Sequence, residues 1–465
     1  MTFSERTAHF DRLLGVGRNF DMIGRELVIG GRRARLWAVN GYVKDSLLER
    51  IVASLRELPH LPRTMTAQEF IAEFVTAPDA VAETMEETLL TAVFAGKTLI
   101  LIDGMEGGIL IDAKGYPTRS VSEPDTSKVL RGSHDGFLEN VMENAALLRR
   151  RVRDPALTLE RFQVSDRSRT DVIMVYMQGE AREEDLEKVR RKLRAIDVKS
   201  IAVSQESVAE CIVPRQWWNP FPKVRYTERP DVATASIMEG DILILVDNSP
   251  AVLLLPTTVF SFAEEINDYF FPPLIGSYLQ TLRLVVLFLT LFITPLWYLL
   301  VKNPDTLPEH LKFLLVEGEC YVPLIVQLLL VEFIIDILKL ASLNTPDALS
   351  NSFSMLGALI LGDFAVQARW LVPEVLVYMA FVAVVNYAQH SYEMGYAMKL
   401  CRMALLVLIW AWDWKGFIGG VVGILVLIAT TKPVVGRGYL YPLIPFNGKV
   451  LWRILHRRPI SRENT

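Results

Sequence analysis

Glu332, Asp336 and Lys339 are the residues of this chain best placed to do chemistry. They lie inside YVPLIVQLLLVEFIIDILKL (residues 321–340), an otherwise apolar run long enough to cross a bilayer core of about 30 Å as a helix. Their i, i+4 and i+3 spacing puts all three on one helix face. A charge at the centre of a membrane helix costs about 2.5–3.5 kcal/mol on insertion scales, so this face should meet a partner helix or water, not lipid. Two chemistries fit: an internal Asp336–Lys339 pair with a packing contact, or an acidic face of Glu332 and Asp336 that takes part in ion conduction.

A second polar stretch follows. Ser350, Asn351, Ser352 and Ser354 lead into Gly357, Gly362, Asp363 and Gln367. Small and polar residues let helices approach closely, or let backbone line a water-filled cavity at membrane depth. Residues 350–370 therefore read as a short span or as half of a re-entrant pair with 371–386. Ser350, Asn351, Ser354, Gly357, Gly362, Asp363 and Gln367 are candidate channel-lining or gating residues. A tight helix–helix seam is the alternative.

Enzyme chemistry has no footing in the motifs. The chain carries no GxxxxGK[ST], GxSxG or HExxH, and its six histidines show no metal-ligand spacing. Cys211, Cys320 and Cys401 lie far apart, without CxxC, and read as buried or lipid-facing thiols. No catalytic residue, metal site or cofactor is expected. The formal net charge of −4 gives no reason to expect nucleic-acid binding.

The elements that must position these residues divide in two. Hydrophobic residues make up 51% of the chain and charged ones 22%, but the averages hide a polar first half and an apolar second half. LVVLFLTLFITPLWYLLV (284–301), bracketed by Arg283 and Lys302, is a membrane span. It follows a long charged region, so it is neither a signal peptide nor an N-terminal anchor. Further apolar runs at 403–412 and 416–431 are separated by Asp413 and Lys415, which read as a turn or a polar interruption. We expect four to six crossings. After Thr431, Lys432, Arg437, Lys449, Arg453, Arg457, Arg458 and Arg462 face a single acid, Glu463, which favours a cytoplasmic tail. The large N-terminal part should share that side, so the crossings should be even in number.

The first half reads as an irregular start, a strand over 35–39, helices over 44–58, 65–75 and 81–94, and a strand pair at 98–103 and 108–112. A helix over 135–151, strands over 158–164 and 171–177, a charged helix over 182–196 and a strand near 201–203 follow. The expected fold is an α+β or α/β N-terminal region of two small subdomains, followed by an all-α polytopic membrane domain. Boundaries fall at 1–130, 131–275, 276–432 and a basic tail, 433–465.

NPFPKVRYTERPDVATASIMEGDILILV (219–246) is the sharpest local signal. Its prolines enforce an extended approach, because residues before proline avoid the helical region. Thr227 can cap a helix reaching 235–239, with Glu228 and Asp231 early and Pro230 in the first turn. Gly240 ends it. Thr227, Glu228, Arg229, Pro230 and Asp231 are candidates for coupling the soluble region to the membrane region.

These residues resemble the GerA family of spore germination proteins, the A-type subunits of germinant receptors. PFPKVRYTERPD, MEGDILILVDNSP and PTT (256–258) carry the resemblance, with RGSHDGFLENVMENAALLRRRVRD (131–154) upstream. NTPDALS (344–350), LGDFAVQ (361–367), VPEV (372–375) and YPLIPFN (441–447) extend it downstream. Before Tyr392, the Ser-x-Pro turn expected of the family is replaced by Gln389-His390-Ser391. The resemblance implies a multi-pass protein of the spore (forespore) inner membrane that forms homo-oligomers. It also implies work with other spore germination membrane proteins and release of monovalent cations. A non-conducting scaffold subunit is the alternative.

Overall fold

The computed structural model describes residues 2–113, 133–316, 321–344 and 365–455, apart from positions 59, 63, 78, 202, 266, 267, 269, 388 and 390. Two compact units emerge: Met1–Pro214 with Val224–Thr257 and Pro433–Gly436, and Arg215–Lys223 with Thr258–Lys432 and Arg437–Thr465.

The first unit runs α1 (Phe3–Leu14), β1 (Met22–Ile29), β2 (Arg32–Val39), α2 (Asp45–Arg56), α3 (Ala67–Phe74), β3 (Val81–Glu83), α4 (Glu86–Phe94), β4 (Thr98–Ile102) and β5 (Gly108–Ile111). It continues with α5 (Val141–Arg151), β6 (Leu157–Val164), β7 (Thr170–Met177), α6 (Glu183–Arg194), α7 (Ser204–Ile212), β8 (Arg225–Thr227), α8 (Pro230–Met238), β9 (Ile242–Val246) and β10 (Val252–Leu255). The second series repeats the first, helix for helix and strand for strand. The sheets have orders β1-β2-β4-β5-β3 and β6-β7-β9-β10-β8, which are the same order. The registers correspond as well. Leu36 opposes Ile100 as Met174 opposes Ile244, and Leu99 opposes Leu110 as Leu243 opposes Leu254. Every described ladder is antiparallel, so the unit is a duplicated α+β fold, not a parallel βαβ one.

Both faces of each sheet are covered, which is why β4 and β9 are unbroken apolar runs. Ile100 and Ile102 enter one core while Leu99 and Leu101 enter another. Ile242, Ile244 and Val246 do the same opposite Leu243 and Leu245. The two copies are joined by buried polar contacts. The Arg149 guanidinium, fully buried, donates to both oxygens of Asp21 at 3.2 Å and to the Leu157 carbonyl at 2.8 Å. Its plane lies over Phe94 at 5.1 Å.

Several expectations change here. The irregular start is α1, closed by a Thr2/Glu5 capping box, and strand β1. The helix expected over 81–94 begins as edge strand β3. No strand forms at Ile201 or Val203, position 202 lies outside the described residues, and α7 starts directly after them at Ser204. Thr227 ends β8, and Arg229 is the residue that precedes α8.

The second unit is helical: α9 (Pro273–Lys302), α10 (Leu324–Asn344), a turn at Ala365–Gln367, α11 (Pro373–Tyr387), α12 (Tyr392–Thr430) and α13 (Gly448–Leu455). α9 and α12 are long and apolar enough to cross a membrane. α12 is a hairpin. Asp413, at φ 51° and ψ −130°, breaks it into arms 392–412 and 414–430. Gly416 lies against the Leu408 carbonyl, and a side chain there would have no room. Gly420 meets Leu405, so the second arm folds back along the first. Lys302 stands at the turn, donating to the Ile409 and Trp410 carbonyls and pairing with Asp413 at 2.9 Å. The core gathers Trp297, Leu328, Val375, Leu405 and Ile409 around a stacked Trp297–Tyr378 pair, centroids 4.5 Å apart.

Candidate functional site

The charged face of α10 turns to the first arm of α12. Glu332 is 1% exposed and Arg402 is fully buried. Arg402 meets the Glu332 carboxylate through Nε at 2.7 Å and Nη2 at 2.6 Å, and donates through Nη1 to the Thr290 carbonyl of α9. Lys399 Nζ bridges the two acids, at 3.3 Å from Glu332 Oε2 and 2.5 Å from Asp336 Oδ2, and donates to the Glu332 carbonyl at 2.9 Å. The Lys339 Nζ lies over the Tyr396 ring at 5.5 Å. Spacing suggested Lys339 as the partner of Asp336; the ion pair found at Asp336 is with Lys399 of α12.

Local sequence explains the geometry. Lys399 and Arg402 are three apart, and Glu332 and Asp336 four apart, so each pair forms one face of its helix. Arg402 lies ten residues from either end of the arm 392–412. At about 1.5 Å per residue it sits near that arm's middle. Pro295, inside α9, offers no N–H to the helical ladder one turn from the Thr290 carbonyl that receives Arg402. Two acids and two bases cancel in charge. At such depth, breaking one partner leaves an uncompensated buried charge, an effect of about 3–5 kcal/mol.

Oxygen acceptors without hydrogen-bond partners lie beside this network. Among the described residues, Asp336 Oδ1, Asn386 Oδ1 and Gln389 Oε1 are buried atoms with no hydrogen-bond partner. A side-chain atom at Gly395 would lie 2.9 Å from Gln389 Oε1 and 3.6 Å from Asn386 Oδ1, so the two amides converge on that glycine. Gln389 Nε2 donates to Thr290 Oγ1 at 2.7 Å. Carbonyl-type oxygens of this kind are what a monovalent cation needs in place of water. Among the described residues no group of three or more His, Cys, Asp or Glu could hold a metal ion.

Of the polar stretch, Gln367 is described and exposed. Ser350, Asn351, Ser354, Gly357, Gly362 and Asp363 lie outside the described residues. Thr227, Glu228, Arg229, Pro230 and Asp231 come together in the first unit. Arg229, 2% exposed, grips Asp231 at 3.0 and 2.5 Å and donates to the Ser133 carbonyl. Thr227 Oγ1 accepts from the Arg229 N–H, Pro230 opens α8, and the Glu228 carbonyl accepts from the Phe137 N–H. Sequence reasoning missed Lys399 and Arg402 as the partners of the acids. Two bases three apart in an apolar run are the signal that could have found them.

An α+β unit and, in the same chain, helices apolar and long enough to cross a bilayer around a buried charge network define a two-part class of protein. Over residues 9–465 the chain matches the model of the Bacillus/Clostridium GerA spore germination protein, and it belongs to that family. Stage V sporulation protein AF of Bacillus subtilis (strain 168) is 34% identical to it over 97% of this chain and 91% of that protein. Spore germination protein KA of the same strain is 27% identical over 96% of this chain and 82% of its own length. The crystal structure of the N-terminal domain of the A subunit of the Bacillus megaterium spore germinant receptor GerK3 is similar to 54% of this chain. That match covers 94% of the crystallised chain at 22% identity, with a TM-score of 0.39.

Proposed function

We propose that this GerA-family protein is a multi-pass, oligomeric protein of the spore inner membrane that forms or gates a cation-release channel. The observation that carries the reading is the buried Glu332–Arg402–Lys399–Asp336 network, with unpaired Asp336, Asn386 and Gln389 oxygens beside it, in the middle of apolar helices. Ionisable residues at membrane depth mark pathways or the seams that move to open them.

The helix directions support a membrane region whose two flanks lie on one side, within the four to six crossings expected. α9 ends at Lys302 beside the Asp413 turn. α10 starts near the beginning of α11, where Gln327 Oε1 accepts from the Val372 N–H. It finishes toward the start of α12, where Lys339 lies over Tyr396. The first ends of α10 and α11 thus share the Lys302 side. With α9, α10, α11 and the two arms of α12, both flanks of the membrane region fall on one side. The basic tail favours the cytoplasm for that side. Division at 130, 275 and 432 belongs to this reading, as does a coupling role for residues 227–231. The partners are further copies of the chain, other germination membrane proteins, membrane lipid and monovalent cations.

The second reading, a non-conducting scaffold, is favoured by one fact: the two acids are matched by two bases, a stable joint with no charge to spare. Cation flux through the purified protein in liposomes separates the two. A conduit predicts leakage that Gly357→Trp blocks and whose selectivity Asp336→Asn changes. No leakage from a well-folded oligomer supports the scaffold.

A further inference from the structure

Trp217 is 95% exposed and Trp218 52% exposed, an unusual state for adjacent tryptophans on a folded protein. They belong to the helical unit. Asn219, next in the chain, donates to Thr431 Oγ1 at 2.7 Å, which fastens the pair to the end of the second arm of α12. Trp217, Trp218 and Pro220 wall a groove of about 550 Å³ between the two arms, completed by Leu400, Leu408, Gly423 and Leu427. That volume lies in the usual range for a bound organic molecule, roughly 300–1,000 Å³. The floor is open because a side chain at Gly419 or Gly423 would meet nothing within 4 Å. Arg215 and Lys432 flank the tryptophans and Thr431 in sequence; both are exposed. Neither has an ion-pair partner among the described residues.

An apolar trough along membrane-depth helices, tryptophans at its end and exposed cations next to them in sequence match one ligand in particular. We propose that this groove binds an anionic phospholipid, one acyl chain lying over Gly419 and Gly423 and the headgroup phosphate held by Arg215 and Lys432. Tryptophan favours the headgroup level, where its ring is half in hydrocarbon and its N–H is wet. A basic residue near the surface attracts anionic lipid. This adds a lipid site to the membrane-spanning reading and rests on it.

Full-length protein would be reconstituted into vesicles of phosphatidylcholine doped with phosphatidylglycerol, either lipid carrying brominated acyl chains that quench tryptophan fluorescence. The contribution of Trp217 and Trp218 is the difference between wild type and the Trp217→Phe/Trp218→Phe variant, whose positions are exposed and tolerant of change. Brominated phosphatidylglycerol at a tenth of the lipid should quench that contribution at least threefold more than brominated phosphatidylcholine at the same fraction. Arg215→Gln/Lys432→Gln should abolish the preference, and Gly423→Leu should abolish the quenching. Equal quenching by both lipids overturns the proposal, as does a Gly423→Cys variant that crosslinks two copies, which would make the occupant a second protein helix. Trp410, Trp412 and Trp414 serve as the control. If brominated lipid quenches them and not the Trp217–Trp218 pair, the helices are in the bilayer and the lipid site alone fails. If none is quenched, the membrane reading fails first.

Discussion

Gly96 and Gly240 occupy the same point in two copies of one fold. Each ends a helix, α4 or α8, with φ of 90° and 93° respectively, and each leads into the central apolar strand of its sheet, β4 or β9. The equivalence extends to the turns that follow, where Gly104 at φ 76° answers Asn248 at φ 62°. The first unit was therefore built by repeating one α+β pattern, and each copy predicts what the other tolerates.

Gly104→Asn should be nearly neutral, within about 0.5 kcal/mol of wild type, because asparagine already holds the same left-handed position at Asn248. Gly240→Ala should cost more than 1 kcal/mol. Its φ of 93° is strained for any side chain, and the added carbon would sit 2.8 Å from the Glu180 carbonyl. Urea unfolding of the two variants tests the contrast.

Arg149→Met should destabilise the first unit by roughly 3–5 kcal/mol, since it leaves Asp21 buried at 2% exposure without its partner. Asp21→Asn added to it should recover part of the loss. Hydrogen exchange across β6 and α5 in the full chain reads the effect, and equal protection in wild type and Arg149→Met would refute it.

Glu332→Gln or Arg402→Met alone should lower the melting temperature of detergent-solubilised protein sharply, each leaving a buried charge unpaired. The double variant should be more stable than either single one. Additive losses would show that the two residues do not act as a pair.

Acid should loosen the first unit at Glu160. Burial raises its pKa, yet hydrogen bonds from Arg190 and Tyr176 outweigh this and hold the carboxyl below the usual range. A depressed folded pKa contributes stability above the unfolded value, about 4.3, and loses it as pH falls through the folded one. Burial, then Glu160, push the Tyr176 phenol up to about 12, so its contribution is present below about 10 and is lost as pH rises through 12. Tyr176→Phe should shrink both windows in unfolding curves taken against pH.

Gly416→Leu should prevent closure of the α12 hairpin, because its side chain would collide with the Leu408 carbonyl. Gly419→Ala, where nothing lies within 4 Å, should fold as wild type. Yield and size-exclusion profile of the purified variants separate the two outcomes.

Element types followed from local signals wherever one period dominated. The apolar run 284–301 lies within α9, and the runs around Asp413 and Lys415 form the two arms of α12, because burial patterns repeat with the helix period or the membrane's length. Glu332 and Asp336 could be placed on one face from spacing alone. Their partners could not. Lys399 and Arg402 lie far along the chain, and only the packing of α10 on α12 brings Lys399 against Asp336. The duplication was equally hidden. TLILI and ILILV look alike, but apolar strands buried on both faces carry no alternation to mark which strands pair. Sequence determined which residues must avoid water and which charges needed company. Tertiary structure chose the company, because ion pairs and sheet registers are set by residues that meet only after the chain has folded.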